Sequence, residues 1–339
     1  MEEKIIMAHG SGGKLTAELI REVFSGAYGN DTLSEMEDAA VVKVSEKIAY
    51  STDSFVVRPL QYPGGDIGRL AVCGTVNDLC ARGAVPKYLS AGFIIEEGLE
   101  LGLLKSIAKS MAETAAEAGV RIVTGDTKVI EGNGGLYINT SGIGIYPENR
   151  RVPGTKNIEE GDAVIVTGTL GDHHASILSE RLESVGKIVS DTAPLCEVTE
   201  KLMSDESITV HAMRDVTRGG LATVLSEMAE SSGCEIEIKE QSLPVNKTVK
   251  AFAGMLGLDV LYMGTEGKMV VILPKAHVDR ALEIIRSCKY GENAVVIGEV
   301  IKKSGGEDSA KAGRLLLETS LGAKRVLTQM VGEGLPRIC

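Results

Sequence analysis

Residues 147–161 (PENRRVPGTKNIEEG) decide how the rest of the chain divides. The stretch carries two prolines and several charged residues, and it separates two apolar runs, 136–145 and 163–166, that read as strands. A boundary therefore falls near residue 153, giving domains at 1–153 and 154–325 and a tail at 326–339. Upstream, apolar spacing predicts helices over 14–27, 67–82 and 101–118, with Gly83 and Gly119 as stops, and strands over 47–54, 88–95, 120–123 and 136–145. Downstream, helices follow Gly171-Asp172 and cover about 196–203, 220–231 and 277–287, with strands near 163–166, 235–238, 268–273 and 295–297. Strands and helices alternate in both halves, so the class is α/β or α+β. From about Val326, two glycines and a proline precede Arg337-Ile338-Cys339, which reads as a mobile arm rather than a packed element.

The 339 residues are 43% apolar with four Phe and no Trp, so the cores must be aliphatic. A net charge of −11 argues against nucleic acid, which needs a basic surface, but leaves room for phosphates bridged by metal ions. No apolar run reaches membrane-span length and no secretory leader is legible. Six scattered cysteines form no CxxC pair, which suggests free thiols in a reducing cytoplasm, all but Cys339 being core or incidental residues.

His9-Gly10-Ser11-Gly12-Gly13-Lys14 leads straight into a helical pattern. Closely spaced glycines let backbone N–H groups converge on phosphate oxygens, and a helix N-terminus adds partial positive charge; the bland alternative is a flexible turn. It is not a Walker A loop, because Ala8 and Leu15 stand where Gly and Ser or Thr are needed. Asp38, Asp53, Asp78, Asp126 and Asp215 each lie beside a predicted strand end or in a helix, next to Gly, Asn, Ser, Thr, Ala or Arg. One such Asp is an N-cap or turn residue; five similar placements suit a hard cation with oxygen ligands. Thr167-Gly168-Thr169-Leu170-Gly171-Asp172 and Asp215-Val216-Thr217-Arg218-Gly219-Gly220 each precede a helix, as simple caps or as walls of a nucleotide cleft. His173 and His174 read as surface residues. Glu266, between Gly264 and Gly267, reads either as a loop acid or as a general base. Cys339 is too near the end for prenylation, and its sulfur, with no chain beyond it, can enter a narrow pocket.

Taken together, these segments resemble the HypE family of hydrogenase-maturation carbamoyl dehydratases, from His9-Gly10-Ser11-Gly12-Gly13 through Ser51-Thr52-Asp53-Ser54, Asn77-Asp78-Leu79, Thr124-Gly125-Asp126-Thr127-Lys128-Val129 and Arg214-Asp215-Val216 to Pro336-Arg337-Ile338-Cys339. The final four residues are the most specific; the others also fit the wider superfamily of aminoimidazole-ribonucleotide synthetase, selenophosphate synthetase and thiamine-monophosphate kinase. The resemblance implies an α/β domain that builds a β-barrel across a homodimer, an α+β domain beside it, and ATP in the cleft between them. It implies that the carbamoyltransferase HypF loads Cys339, that the enzyme dehydrates the S-carboxamide to a thiocyanate, and that cyanide passes to iron on a HypC–HypD complex. It also implies Cys339, Glu266 and Lys128 as catalytic residues. ATP would be held by Gly10, Ser11, Gly12, Gly13, Lys14, Asp38, Asp53, Asn77, Asp78 and Asp126, and Mg²⁺ by Asp38, Asp53, Asp78, Asp126 and Asp215. A kinase of the superfamily has no use for a terminal thiol, and a selenophosphate synthetase is expected to carry Cys or selenocysteine in the glycine loop, which here has none.

Overall fold

The computed structural model describes residues 4–10, 14–34, 40–183, 187–303 and 313–330. Its strands are β1 Ile48–Phe55, β2 Gln61–Tyr62, β3 Gly65–Asp66, β4 Val85–Glu96, β5 Arg121–Ile130, β6 Leu136–Ile145, β7 Asp162–Val166, β8 Ala212–Asp215, β9 Cys234–Lys239, β10 Met269–Pro274, β11 Val295–Lys303, β12 Arg314–Glu318 and β13 Lys324–Leu327. Among the described residues they form a four-stranded sheet in the order β1-β6-β4-β5, a seven-stranded sheet in the order β13-β12-β9-β11-β7-β10-β8, and the small hairpin β2-β3.

In the first sheet β4 and β5 run parallel and the other pairs antiparallel. The parallel pair needs a long crossover, supplied by the helix Leu101–Ala118, which Gly119 closes in the left-handed conformation. One face of the sheet is packed: Leu89, Ala91, Phe93 and Ile95 of β4, with Leu136 and Ile138 of β6, are buried at every second position. The opposite face leaves Tyr50, Ile94 and Ile130 exposed. Among the described residues both outer strands, β1 and β5, are open edges and the sheet does not close into a barrel.

The second sheet is covered on both faces, which explains why β7 and β10 read as unbroken apolar runs. In β10, Val270 and Ile272 enter a core with Leu221, Leu225 and Met228 of the helix Gly220–Ser232, whereas Met269, Val271 and Leu273 enter another with Val198, Leu202 and Ile285 from the helices Cys196–Ser204 and Val278–Arg286.

The helix Ile67–Ala81 joins the two units. It is apolar nearly all round and buried nearly all round, because the first sheet and the helix Leu101–Ala118 cover one side while β8 and the helix Cys196–Ser204 cover another. Asp66 caps it by accepting a hydrogen bond from the Arg69 amide at 2.9 Å. Two ion-paired clamps flank this contact. Arg150 makes a two-pronged bond to Glu200, its Nη2 at 2.9 Å from Oε1. Arg69 bonds Glu117 at 3.0 Å, the Tyr290 hydroxyl at 3.1 Å and the Thr192 carbonyl at 2.8 Å.

Three expectations need correction. The arm does not begin at Val326: β13 ends at Leu327, which is buried, and the Thr328 carbonyl and Met330 amide are held by the Tyr262 and Thr223 hydroxyls. His173 and His174 are buried, because the helix Asp172–Arg181 packs its start against Tyr62 and the loop before β10. The Gly125-Asp126-Thr127-Lys128 segment lies within β5 rather than at a strand end.

Because β10 is buried on both sides, Val270→Asp and Val271→Asp should each unfold the second domain, each placing an unpaired charge in a core at a cost of at least several kcal/mol. Val326→Asp, at a half-exposed position, should change stability by less than about 0.5 kcal/mol. Denaturant unfolding checks all three; a fully stable Val271→Asp would contradict the two-faced core.

Candidate functional site

Four acidic side chains from four separate segments act on one another electrostatically where the two units join. Asp53 lies near the end of β1 and its carboxylate reaches toward Gly74, where an added methyl group would sit 3.7 Å from Oδ2 and only 2.7 Å from the Phe55 ring. One helical turn further on, Asp78 accepts a hydrogen bond from the Ser51 hydroxyl at 2.6 Å. Asp215 ends β8, and Glu266 stands just before β10. Asp78 and Asp215, with Ser51, Arg82 and Arg214, line a hollow of about 410 Å³ between the units.

Burial and mutual repulsion both act on these groups. Burial raises the Asp53 and Asp78 carboxyls above the usual range; Asp78 adds to the effect on Asp53 while Arg218 opposes it, and Arg214 opposes it at Asp78. Protein atoms crowd Asp215 although part of its surface still reaches solvent, and this burial together with Asp78 and Asp53 pushes it up to about 7. Glu266 is raised well above the carboxylate range by burial first and then by Asp215, Asp191 and Asp53. Its Oε1 is buried without a hydrogen-bond partner. A fold that crowds four carboxylates at the cost of their own ionisation has the electrostatic character of a functional cleft. Among the described residues no three His, Cys, Asp or Glu side chains converge into a preformed metal cage.

The other expected residues lie elsewhere. Asp126 is on β5, separated from Asp53 on β1 by the two strands β4 and β6, so one chain does not bring it to the acid cluster. It pairs with Lys128 at 2.8 Å, which holds its carboxyl below the usual range, and both side chains are solvent-exposed. The two line a second hollow of about 280 Å³ together with Thr16, Phe24 and Tyr28, from the helical segment that follows the glycine loop. Asn77 does not face the cleft: its carboxamide donates to the Ala193 carbonyl at 3.0 Å and accepts from the Leu195 amide at 2.8 Å, and the residue is buried. Gly10 ends a short helical turn and Lys14 opens the helix Lys14–Leu19. Ser11, Gly12, Gly13, Asp38 and Cys339 lie outside the described residues.

The sequence reading missed two charged residues beside Glu266. Asp191 accepts hydrogen bonds from the backbone N–H groups of Glu266 and Gly267, both at 3.2 Å, and pairs with Lys268 at 3.4 Å. Asp191 sits in irregular chain, where neither periodicity nor a glycine cluster marks it, and Lys268 follows Gly267 with nothing in the pattern to assign it a role.

Residues 36–146 match the AIR synthase related protein, N-terminal domain, and residues 159–310 match the corresponding C-terminal domain. The chain is 42% identical over its whole length to the carbamoyl dehydratase HypE of Rhodobacter capsulatus, covering 99% of that protein. A crystal structure of the hydrogenase maturation protein HypE in complex with ATP superimposes with a TM-score of 0.92 at 43% identity, covering 98% of this chain and 99% of that one. A HypE chain from a HypE–HypF complex superimposes with a TM-score of 0.77 at 45% identity, covering 92% and 99%. Two matched domains, full-length identity and an acid-lined cleft between the domains lead to one conclusion: the chain belongs to the HypE family of carbamoyl dehydratases, hydrogenase-maturation enzymes of the AIR synthase related superfamily.

Proposed function

We propose that the chain uses ATP to dehydrate an S-carboxamide carried on Cys339 to a thiocyanate, the source of cyanide for the iron of a NiFe hydrogenase. The observation that carries this reading is the crowding of Asp53, Asp78, Asp215 and Glu266 in the cleft between the domains. The ATP complex of a HypE structure supports the choice of nucleotide.

An amide oxygen is a poor leaving group. In the proposed reaction the carbamoyl oxygen attacks the γ-phosphorus of ATP and ADP departs, so the oxygen becomes part of a phosphate. The two nitrogen protons are removed; as the second leaves, the C–O bond breaks, phosphate carries the oxygen away and the C≡N bond forms. One S-carboxamide and one ATP give one thiocyanate, ADP and phosphate. Phosphoryl transfer of this kind depends on positioning and charge neutralisation rather than on a protein nucleophile.

Asp53, Asp78 and Asp215 suit a hard cation: they are oxygen donors with few hydrogen bonds of their own and they repel one another. Mg²⁺ held there would neutralise the phosphate oxygens during transfer. Asp38 would join the Mg²⁺ ligands, and Gly10, Ser11, Gly12, Gly13 and Lys14 would hold the phosphates. Glu266 is the base in this reading. Burial first, and then Asp215, Asp191 and Asp53, keep its proton on; neutralising Asp215 and Asp53 removes their share and so favours the ionised base. Asp126 and Lys128 would act from a second copy, brought over when two open sheets pair into one barrel; the exposed Tyr50, Ile94 and Ile130 support such a homodimer. A HypF protein would load Cys339, as the complex of a related HypE suggests, and a HypC–HypD complex would receive the cyanide.

Intact-mass measurement tests the reaction. Carbamoyl-loaded protein should lose the mass of one water on addition of ATP and Mg²⁺, and Cys339→Ala should neither gain the adduct nor lose water. A Cys339→Ala protein that still releases phosphate in a carbamoyl-dependent manner would overturn the reading.

A pH prediction follows from the acids. Asp215 holds a proton in the folded protein up to about pH 7 that the unfolded chain has already lost, so its contribution makes metal-free protein less stable as pH rises from the ordinary carboxylate range to about 7, with no further change above. Asp78→Asn removes a repelling charge, so the decline should be shallower and end at lower pH, and dehydration should be lost. Denaturant unfolding across this range is the measurement; an unchanged decline in Asp78→Asn would show that the two acids are not coupled.

A further inference from the structure

We infer that Asp191 is the positioning residue for Glu266, and that Asn77 ties this arrangement to the first domain. The inference rests on Glu266 being the base of the proposed reaction.

Glu266 is aimed from its backbone. Its Oε1 has no hydrogen-bond partner, whereas both of its main-chain groups are held by one irregular segment, residues 187–195. The Glu266 N–H donates to Asp191 Oδ1 at 3.2 Å and the Glu266 carbonyl accepts from the Ala193 N–H at 3.2 Å. The next residue repeats the grip, with the Gly267 N–H donating to Asp191 Oδ2 at 3.2 Å. A side chain at position 267 would place its Cβ 1.9 Å from the Asp191 carbonyl oxygen, so only glycine allows the two segments to lie this close. Lys268 closes the arrangement: its ammonium lies 3.4 Å from Asp191 Oδ2 and donates to the Gly267 carbonyl at 3.0 Å. Asp191 is a buried carboxylate with two backbone donors and one cation, the set that makes strong charge-assisted hydrogen bonds.

Segment 187–195 is in turn fastened to the first domain. Asn77 bonds Ala193 and Leu195, Arg69 bonds the Thr192 carbonyl at 2.8 Å, and the Ser190 N–H donates to the Pro63 carbonyl at 2.8 Å. Asn77 precedes Asp78 in the chain. The path from the acid Asp78 to the base Glu266 therefore runs through Asn77, Ala193 and Asp191, and it fixes how far apart two groups from different domains stand.

The test is a double-mutant cycle on full-length, carbamoyl-loaded protein with ATP and Mg²⁺, read as the rate of water loss by intact mass. Asp191→Asn should lower kcat by about tenfold to a hundredfold, the cost of misplacing a reacting group, with the KM for ATP changed less than about twofold. On the residual rate of Glu266→Gln, the same substitution should cost less than about twofold, because Asp191 acts through Glu266. An equal loss in both backgrounds overturns the positioning role and leaves Glu266 as base. A Glu266→Gln protein as fast as the parent overturns the base assignment and this inference with it. Asn77→Ser, which frees the segment but keeps Asp191, should show the same dependence on Glu266 and serves where Asp191→Asn does not fold; independence from Glu266 would count against the inference equally.

Discussion

A helix that is apolar nearly all round must be enclosed, and the helix Ile67–Ala81 is enclosed by two domains at once. That burial sets the distance between the two sheets, and polar bonds from Arg69, Asn77 and Arg150 flank it. The chemistry is hung on the same element. Asp78 leaves its surface toward the cleft, Gly74 leaves space beside Asp53, and Asn77 and Arg69 reach across to the second domain. Folding energy from the aliphatic core thus opposes the repulsion among the four carboxylates.

That opposition accounts for the ionisation pattern. In water, Asp53, Asp78, Asp215 and Glu266 would all carry charge; in the cleft, burial and proximity make charge costly, and the effect is greatest at Asp215 and Glu266, which have the most acidic neighbours. Asp126 shows the contrast. With Lys128 beside it and water around it, its carboxyl shifts the other way. Asp126 and Asp215 are the same residue type, and environment makes the difference.

Much of the architecture was legible in the amino-acid pattern. The helix Leu101–Ala118 and the strand Leu136–Ile145 follow from their periodicity, and the unbroken apolar runs of β7 and β10 carried the sign of a sheet covered on both faces. Asp53, Asp78, Asp215 and Glu266 were each visible as acids at predicted strand ends, in a helix or in a glycine-flanked loop, and the fold brings them within electrostatic range of one another. What the pattern did not carry was which acids would meet: Asp126 looks like the others in sequence, and only the strand order β1-β6-β4-β5 separates it. The burial of His173 and His174 was hidden too, since it comes from a neighbouring element rather than from their own helix. Asp191 was the least legible, because its role depends on backbone groups 75 and 76 residues away in the chain.

The pinning of residues 328–330 sets a tether. From the anchored Met330 only nine residues lead to Cys339. Nine residues span at most roughly 30 Å when fully extended. A group carried on that thiol stays within this reach of Met330, and a reaction partner joined through so short a connection works at an effective concentration of about millimolar. On the proposed reading, saturation of the dehydration step is then set by the geometry of the chain rather than by how much carbamoyl donor the cell contains. The loading step alone feels that supply.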